Sequence, residues 1–123
     1  MIIGIGVDIV HVRRMTRWRC IPGLLERYFH PDELSQANSR GSGIELSLAA
    51  RFAAKEAFGK ALGTGLAGIV LKDIMVLNIK DERPFLHLEG SALQAMKTAG
   101  ADRAYVSLTH DGNMALASVI LEM

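Results

Sequence analysis

The stretch RFAAKEAFGKALGTG, residues 51–65, has the composition of a helix that packs closely against another element and then stops. Most of its apolar residues are alanine, and it closes on a glycine–threonine–glycine run of the kind that ends helices. Four charged residues nevertheless fall within it: Arg51, Lys55, Glu56 and Lys60. The pattern predicts a compact helix and raises the question of what these charges do.

The helix is predicted to run from about residue 43 to about residue 62. Ser42, followed three residues later by Glu45, forms a capping-box pattern at its start. On a wheel of 3.6 residues per turn, one stripe of small or apolar side chains permits close packing on a sheet: Leu46, Ala49, Ala50, Ala53, Ala54, Ala57 and Ala61. Glu56 and Lys60 fall one turn apart on an edge of that stripe.

The segments on either side of this helix read as strands and shorter helices. Residues 2–10 alternate as a strand does, and short helices are predicted in residues 10–18, 24–29 and 31–37. The predicted fold is therefore α+β, with a largely antiparallel sheet packed against the long central helix in a single domain over residues 1–123.

The second half of the chain contains two predicted strand pairs. Residues 74–79 and 85–88 are expected to pair through a turn at residues 80–84. A helix then follows with Ser91 as its N-cap and Gly100 just past its end. A hairpin follows that helix, with Asp111 and Gly112 suited to a type I′ turn.

Composition limits the function classes. The net charge is +1, so the chain as a whole is not a binder of polyanions such as nucleic acid. One cysteine, Cys20, excludes an internal disulfide and a zinc site built on paired cysteines. No apolar run approaches the roughly 20 residues of a membrane span. We expect a cytoplasmic protein.

Arginines are concentrated near the N-terminus, where five of them accompany one acid, Glu26: Arg13, Arg14, Arg17, Arg19 and Arg27. Such a cationic patch could meet an acidic protein, nucleic acid or a membrane surface. A solvated helix face explains the same pattern equally well.

Gly4, Gly6 and Asp8 share one face of the first strand because their spacing is two. Two missing side chains beside a carboxylate leave a shallow space for a ligand or metal. Alternatively, the glycines merely admit a packed helix and Asp8 caps the helix that follows.

Glu56 and Lys60 are an i,i+4 pair, and most such pairs are weak surface contacts. If Asp8 and Glu56 meet, the two carboxylates repel unless a cation lies between them. Hard oxygen ligands without clustered Cys or His favour magnesium, which takes its remaining ligands from water and phosphate. The sequence does not show whether the two residues meet.

The run Gly63, Thr64, Gly65 is most simply a helix C-cap, but a loop of small residues beside Lys60 can also wrap phosphate oxygens with its N–H groups. His110, near the hairpin tip, is either an exposed side chain or a further donor to phosphate.

Several blocks stand in the order typical of one family: GIGVDIV, Arg14 six residues after Asp8, ERYFHPDEL, LAARFAAKEAFGKALGTG and VSLTHDGNMALASVILE. Over nearly its full length the chain resembles the holo-acyl-carrier-protein synthases, the short branch of the 4′-phosphopantetheinyl transferases. In the block VSLTHDGNMALASVILE, Thr109 stands where serine is usual in the family. Residues 11–27 resemble the family less.

The resemblance implies an α+β enzyme of fatty acid biosynthesis. It moves the phosphopantetheine arm of coenzyme A to a serine of apo-acyl carrier protein and releases adenosine 3′,5′-bisphosphate. Asp8 and Glu56 match the Mg²⁺ ligands, and Lys60 matches a lysine near the diphosphate. Glu56 or a water on the magnesium is the candidate base.

The remaining matches concern coenzyme A and partners. Residues 63–65, that is Gly63, Thr64 and Gly65, match a loop beside the nucleotide, and Arg51 and His110 match positions associated with coenzyme A. Arg14 and its neighbours Arg13 and Arg17 match the helix that receives the carrier protein. Short members of the family are homotrimers with sites between subunits.

The sequence of the hairpin strands gives a reason, independent of the resemblance, to expect a trimer. Their small or apolar side chains lie on both faces, and a strand of that kind needs cover on both sides. Two other functions stay open: a non-catalytic module that binds an acidic protein, and a magnesium-dependent nucleotidyl or phosphoryl transferase with another acceptor. The set Asp8, Glu56 and Lys60 argues against the first, since a binder does not need it.

Overall fold

The computed structural model describes residues 1–79 and 83–123 and shows the predicted α+β architecture. The strands are β1 (Ile2–His11), β2 (Ile74–Leu77), β3 (Phe85–Leu88), β4 (Arg103–Asp111) and β5 (Met114–Glu122). The helices are α1 (Val12–Arg19), α2 (Leu24–Tyr28), α3 (Pro31–Asn38), α4 (Ile44–Leu62) and α5 (Gly90–Thr98). Short 3₁₀ turns lie at Gly41–Gly43 and Leu71–Asp73. Among the described helices, none has both the length and the apolar run needed to cross a bilayer.

All strand pairings in the described ranges are antiparallel. The main sheet has the order β1-β5-β4, and β2 and β3 form a separate two-stranded sheet. The inner face of β5 is fully buried against α4 and consists of Ala115, Ala117, Val119 and Leu121. The outer face of the same sheet carries exposed apolar side chains: Ile5, Val7, Ile9 and Tyr105. Helix α4 therefore covers one face of the sheet only.

The α4 helix approaches β1 so closely that side chains are excluded from part of the strand. A Cβ atom on Gly6 would lie 2.0 Å from the Ala57 carbonyl oxygen, and one on Gly4 would lie 1.9 Å from that of Ala61. Of the predicted stripe, Ala49, Ala53, Ala54, Ala57 and Ala61 are buried, and Leu46 and Ala50 are half-buried. The two glycines thus serve helix packing, and the hypothesis that they leave a space for a ligand is wrong.

Both predicted N-terminal helix caps are wrong, because distant residues provide the contacts. Helix α4 begins after Gly43 with no side-chain cap, and the Glu45 carboxylate instead accepts hydrogen bonds from Thr16 Oγ1 (2.5 Å) and Arg19 Nη1 (2.9 Å). Helix α5 has Glu89 rather than Ser91 at its N-cap. The N–H and Oγ of Ser91 donate to the Asp73 carboxylate at 2.8 and 2.6 Å.

The hairpin turn lies one residue later than predicted. Asp111 pairs with Met114, so the loop consists of Gly112 and Asn113, with Gly112 at φ +56°. Gly100, with φ +88°, does follow the end of α5 as predicted. Of the turn predicted at residues 80–84, residues 80–82 lie outside the described residues.

Side chains from α3 and α4 occupy the edge of β2 that β3 leaves open. Lys55 Nζ donates to the Ile74 carbonyl, Val76 N–H donates to Glu33 Oε2 at 3.1 Å, and Arg51 Nε donates to the Val76 carbonyl at 3.1 Å. Gln36 both donates to and accepts from the Asn78 backbone. The side chains of Glu33, Gln36, Arg51 and Lys55 thus supply the hydrogen bonds that a further strand would otherwise make.

Substituting Gly6 tests the contact between α4 and β1. Gly6→Ala should lower the free energy of unfolding by about 3 kcal/mol, at the upper end of the usual cost of overpacking, because a backbone carbonyl occupies the space of the new methyl group. Gly43→Ala is the matched control, since its Cβ would meet the nearest atom at an ordinary 3.7 Å. Denaturant unfolding of the two variants should separate them clearly, and equal midpoints would contradict this account of the packing.

Candidate active site

Asp8 lies beside α4 because it follows the two glycines on the same face of β1. Its Oδ1 accepts a hydrogen bond from Lys60 Nζ at 3.0 Å. Asp8 is largely covered, whereas the Lys60 side chain is 56% exposed. The N-cap of α1 is His11, so Asp8 does not cap that helix as the alternative interpretation had it.

Glu56 lies one turn before Lys60 in α4 and faces the same position. Burial raises the pKa of the Glu56 carboxyl group, and the Asp8 carboxylate raises it further, while Lys60 and Arg14 oppose the shift. Asp8 and Glu56 are therefore close enough to repel one another. Asp8, Glu56 and Lys60, which we call the carboxylate cluster, do come together.

The carboxylate cluster fits a hard divalent cation. The two acids offer oxygen ligands only, and their mutual repulsion would be relieved by a positive ion between them. Within the described residues no group of three or more His, Cys, Asp or Glu side chains forms a metal centre. Two protein carboxylates with the remaining positions left to water or phosphate is the pattern that Mg²⁺ prefers.

The N-terminal arginines do not form one uniform patch. Arg14 is half-buried and stands over the Phe52 ring, with its guanidinium carbon 5.8 Å from the ring centroid. Arg13 and Arg17 are exposed on α1, and Arg19 pairs with Glu45 at 2.9 Å. Arg14 is the arginine of α1 whose charge acts on the Glu56 carboxylate.

Arg51 and His110 line a cavity of about 380 Å³ between α4 and β4. The Arg51 side chain is almost fully buried, and its guanidinium donates to the Val76 carbonyl (3.1 Å), to Gln36 Oε1 (3.0 Å) and to Ser47 Oγ. His110 is exposed and belongs to β4 rather than to the turn. The pair predicted to bind coenzyme A therefore shares one cavity.

The glycine–threonine–glycine run closes α4. Gly63, at φ +82°, donates its N–H to the Lys60 carbonyl, and Gly65 donates to the Gly59 carbonyl, both at 3.0 Å. Thr64 lines a different cavity, beside α5. The C-cap interpretation is correct, and these two N–H groups are engaged within the chain.

Apart from residues 63–65 and the exposed Arg13 and Arg17, the predicted site residues fall into two groups on different sides of α4. Asp8 is in β1, at one edge of the main sheet, and His110 is in β4, at the other edge, with β5 between them. The structure brings together the carboxylate cluster with Arg14 on one side and Arg51 with His110 on the other.

Sequence reasoning missed the buried pair Lys55 and Glu33. Lys55 Nζ lies 2.7 Å from Glu33 Oε1, and both side chains are completely buried. The available signal was that Arg51 and Lys55 lie one turn apart on the side of the helix away from the alanine stripe. Two cations at that spacing indicate acceptors on a neighbouring element.

Comparison with known proteins agrees with this arrangement. Residues 4–117 match the model of the 4′-phosphopantetheinyl transferase superfamily. A holo-[acyl-carrier-protein] synthase from Treponema denticola is 57% identical over 122 residues, covering 99% of both chains.

Solved structures resemble the fold over its whole length. The holo-[acyl-carrier-protein] synthase of Neisseria meningitidis superposes with a TM-score of 0.88 at 31% identity, covering 100% of both chains. That of Helicobacter pylori, solved in complex with coenzyme A, gives a TM-score of 0.80 at 28% identity, over 96% of this chain and 99% of that one. By its fold, its family match and its full-length relatives, the chain belongs to the 4′-phosphopantetheinyl transferase superfamily.

Proposed function

We propose that this protein is a holo-acyl-carrier-protein synthase. It transfers the 4′-phosphopantetheine group of coenzyme A to a serine hydroxyl of apo-acyl carrier protein and leaves adenosine 3′,5′-bisphosphate, a step of fatty acid biosynthesis. The observation that supports this most strongly is the full-length similarity at 57% identity to a protein of that name. The proximity of Asp8, Glu56 and Lys60 adds the chemistry that such a transfer needs.

Phosphoryl transfer depends mainly on positioning and on neutralising negative charge. The serine oxygen forms a bond to the β-phosphorus, the bond from that phosphorus to the oxygen that bridges the two phosphates breaks, and the serine loses its proton. A Mg²⁺ ion held by Asp8 and Glu56 would supply Lewis acidity and a template for the diphosphate. Magnesium dependence is thus part of the proposal.

Lys60 and Glu56 have separate tasks in this scheme. The ammonium of Lys60, which pairs with Asp8 but is exposed, would turn towards the diphosphate and stabilise the charge that develops on the leaving phosphate. Glu56, or a water on the magnesium, is the candidate acceptor of the serine proton.

The cavity lined by Arg51 and His110 is the proposed binding site for the nucleotide end of coenzyme A. Guanidinium and imidazole groups suit phosphate oxygens. Residues Gly63, Thr64 and Gly65 are proposed to lie beside the nucleotide. Their N–H contacts to α4 imply that any phosphate contact there would come from Thr64 or from rearrangement of the loop.

A homotrimer with shared sites is proposed chiefly because the family that the chain resembles forms homotrimers, and two features of the chain support contact between copies. The cavity and the carboxylate cluster lie on opposite sides of α4, so the cavity of one copy can face the cluster of another. The outer face of the main sheet also exposes apolar side chains that a neighbouring copy would cover, at Ile5, Val7, Ile9 and Tyr105.

The direct test of the function is mass spectrometry of apo-acyl carrier protein after incubation with coenzyme A, Mg²⁺ and this protein. The carrier protein should gain the mass of one phosphopantetheine group. A carrier protein whose acceptor serine is replaced by alanine should gain no mass. Tight binding of the carrier protein with no mass gain would indicate a non-catalytic module instead.

Removing either carboxylate should abolish the magnesium-dependent rate. Asp8→Asn and Glu56→Gln should each lower turnover about 100-fold or more, as expected for loss of transition-state charge stabilisation. Glu45→Gln is the matched control, since Glu45 lies on the same helix and pairs with Arg19 outside the cluster. Initial rates over a magnesium titration give the comparison. Near-normal rates in either cluster variant at limiting Mg²⁺ would contradict the ligand assignment.

Arg14 should matter for the acidic carrier protein more than for coenzyme A. Arg14→Glu should raise KM for the carrier protein at least about tenfold at low salt, since charge complementarity acts mainly on encounter and is screened over a Debye length of about 8 Å at physiological salt. Lys97→Glu, an equal charge change on α5, should have little effect. Equal losses for both substrates would place Arg14 in the nucleotide site.

The trimer can be tested on the outer face of the main sheet. Val7→Lys, at a side chain 51% exposed in the single chain, should give monomers in sedimentation and little activity, because the lysine would be buried between copies. Val70→Lys, at a side chain 55% exposed outside that sheet, is the control and should leave the assembly intact. A fully active monomer would refute both the trimer and the shared site.

A further inference from the structure

Lys55 directly precedes Glu56 in α4 but lies on a different side of the helix and is completely buried. Its ammonium donates to Glu33 Oε1 at 2.7 Å, to the Leu71 carbonyl at 2.9 Å and to the Ile74 carbonyl. An ammonium has three protons to donate, so these contacts use all of them. Burial lowers the pKa of Lys55, and the Glu33 carboxylate opposes that shift.

Both carboxylate oxygens of Glu33 also accept hydrogen bonds. Besides Lys55, its Oε1 accepts the N–H of His30 at 3.0 Å, and its Oε2 accepts the N–H of Val76 at 3.1 Å. The carboxylate therefore joins the first turn of α3, the middle of α4 and strand β2. Every contact of the pair is directional, and the three elements it joins are distant in sequence.

Stability alone is a weak explanation for such a pair. Moving two charges out of water costs several kcal/mol each, and replacing a buried ion pair with apolar side chains is often neutral or stabilising. The particular contribution of the pair is a fixed geometry.

That geometry bears on the carboxylate cluster. On one side α4 rests on Gly4 and Gly6 of β1, through contacts between backbones and methyl-sized side chains. Such a surface limits distance but not rotation about the helix axis. On another side the directional bonds of Lys55, and those of Arg51 one turn earlier, do limit rotation. Because successive helical residues are about 100° apart, any turn of α4 moves Lys55 and Glu56 together.

We infer that Lys55 and Glu33 are positioning residues of the active site: they fix the rotation of α4 so that Glu56 meets Asp8 and Lys60. The inference rests on the proposed function, in which those three residues hold the metal and the diphosphate. Lys55 and Glu33 touch neither, and they act through Glu56.

The expected kinetic effect is selective. Lys55→Met should lower kcat and the affinity for Mg²⁺, measured by calorimetry with coenzyme A present, about 10–100-fold, the usual range for a residue that orients a metal ligand. KM for coenzyme A should change less than kcat, because Arg51 keeps its own bonds to Val76, Gln36 and Ser47.

A double variant separates positioning from stability. Lys55→Met alone leaves the Glu33 carboxylate buried without its cation, whereas Glu33→Gln/Lys55→Met leaves no uncompensated charge. The double variant should therefore recover much of the lost thermal stability while kcat and Mg²⁺ affinity stay low. Met96→Ala, a cavity in α5, is the control for destabilisation as such and should keep both values near wild type at a temperature where it is folded.

Recovery of kcat together with stability in the double variant would overturn the inference, and so would an equal loss in Met96→Ala. If Lys55→Met does not fold, Glu33→Gln and the double variant still give the comparison. Failure of the wild-type protein to modify apo-carrier protein would overturn the proposed function instead. The calorimetric titration of Mg²⁺ would then still show whether Lys55 and Glu33 affect the metal site.

Discussion

The backbone contact between α4 and β1 is the constraint on which the other features depend. The carbonyl oxygens of Ala57 and Ala61 occupy the positions that side chains on Gly6 and Gly4 would fill, 2.0 and 1.9 Å from the absent Cβ atoms. Two residues further along the same strand face, Asp8 is the first large side chain, and it emerges beside the helix. A larger residue at either glycine would push α4 away and separate Asp8 from Glu56 and Lys60.

The charges of α4 divide by the side of the helix on which they lie. Glu56 and Lys60 border the alanine stripe and remain accessible, whereas Arg51 and Lys55 point away from it and are buried against β2. Burial is tolerated because the guanidinium and the ammonium find backbone carbonyls and polar side chains as partners. One helix thereby provides both a reactive edge and an attachment to the smaller sheet, on different sides of its axis.

Features governed by local periodicity could be predicted from the sequence, and features governed by distant partners could not. The periodicity of α4, the alternation of β1 and the antiparallel hairpin follow from spacing alone. The two N-terminal caps were predicted wrongly because Glu45 binds Thr16 and Arg19, and because Asp73 binds the start of α5. The turn at Gly112 and Asn113 was displaced by one residue since Asp-Gly and Gly-Asn are both acceptable turn pairs.

The candidate site shows the same division. The sequence could put Asp8 on the strand face of the two glycines, and Glu56 with Lys60 on one edge of the alanine stripe. Whether the three residues meet depended on the fold. The burial of Lys55 with Glu33 could not be foreseen, since it requires α3, α4 and β2 to converge from positions up to 43 residues apart. A charged residue in a helix looks the same in sequence whether it faces solvent or a buried acid.

The separation of the two groups of site residues also bears on assembly. In one chain the cavity of Arg51 and His110 opens beside β4, while the carboxylate cluster opens beside β1. If one coenzyme A molecule needs both, a neighbouring copy has to bring its β1 side to the β4 side of the first. Such a head-to-tail contact joins two different surfaces, and repeating it through a suitable rotation closes a ring. Each copy then contributes a cavity to one site and a carboxylate cluster to another, and the apolar outer face of the sheet is where the copies can pack together.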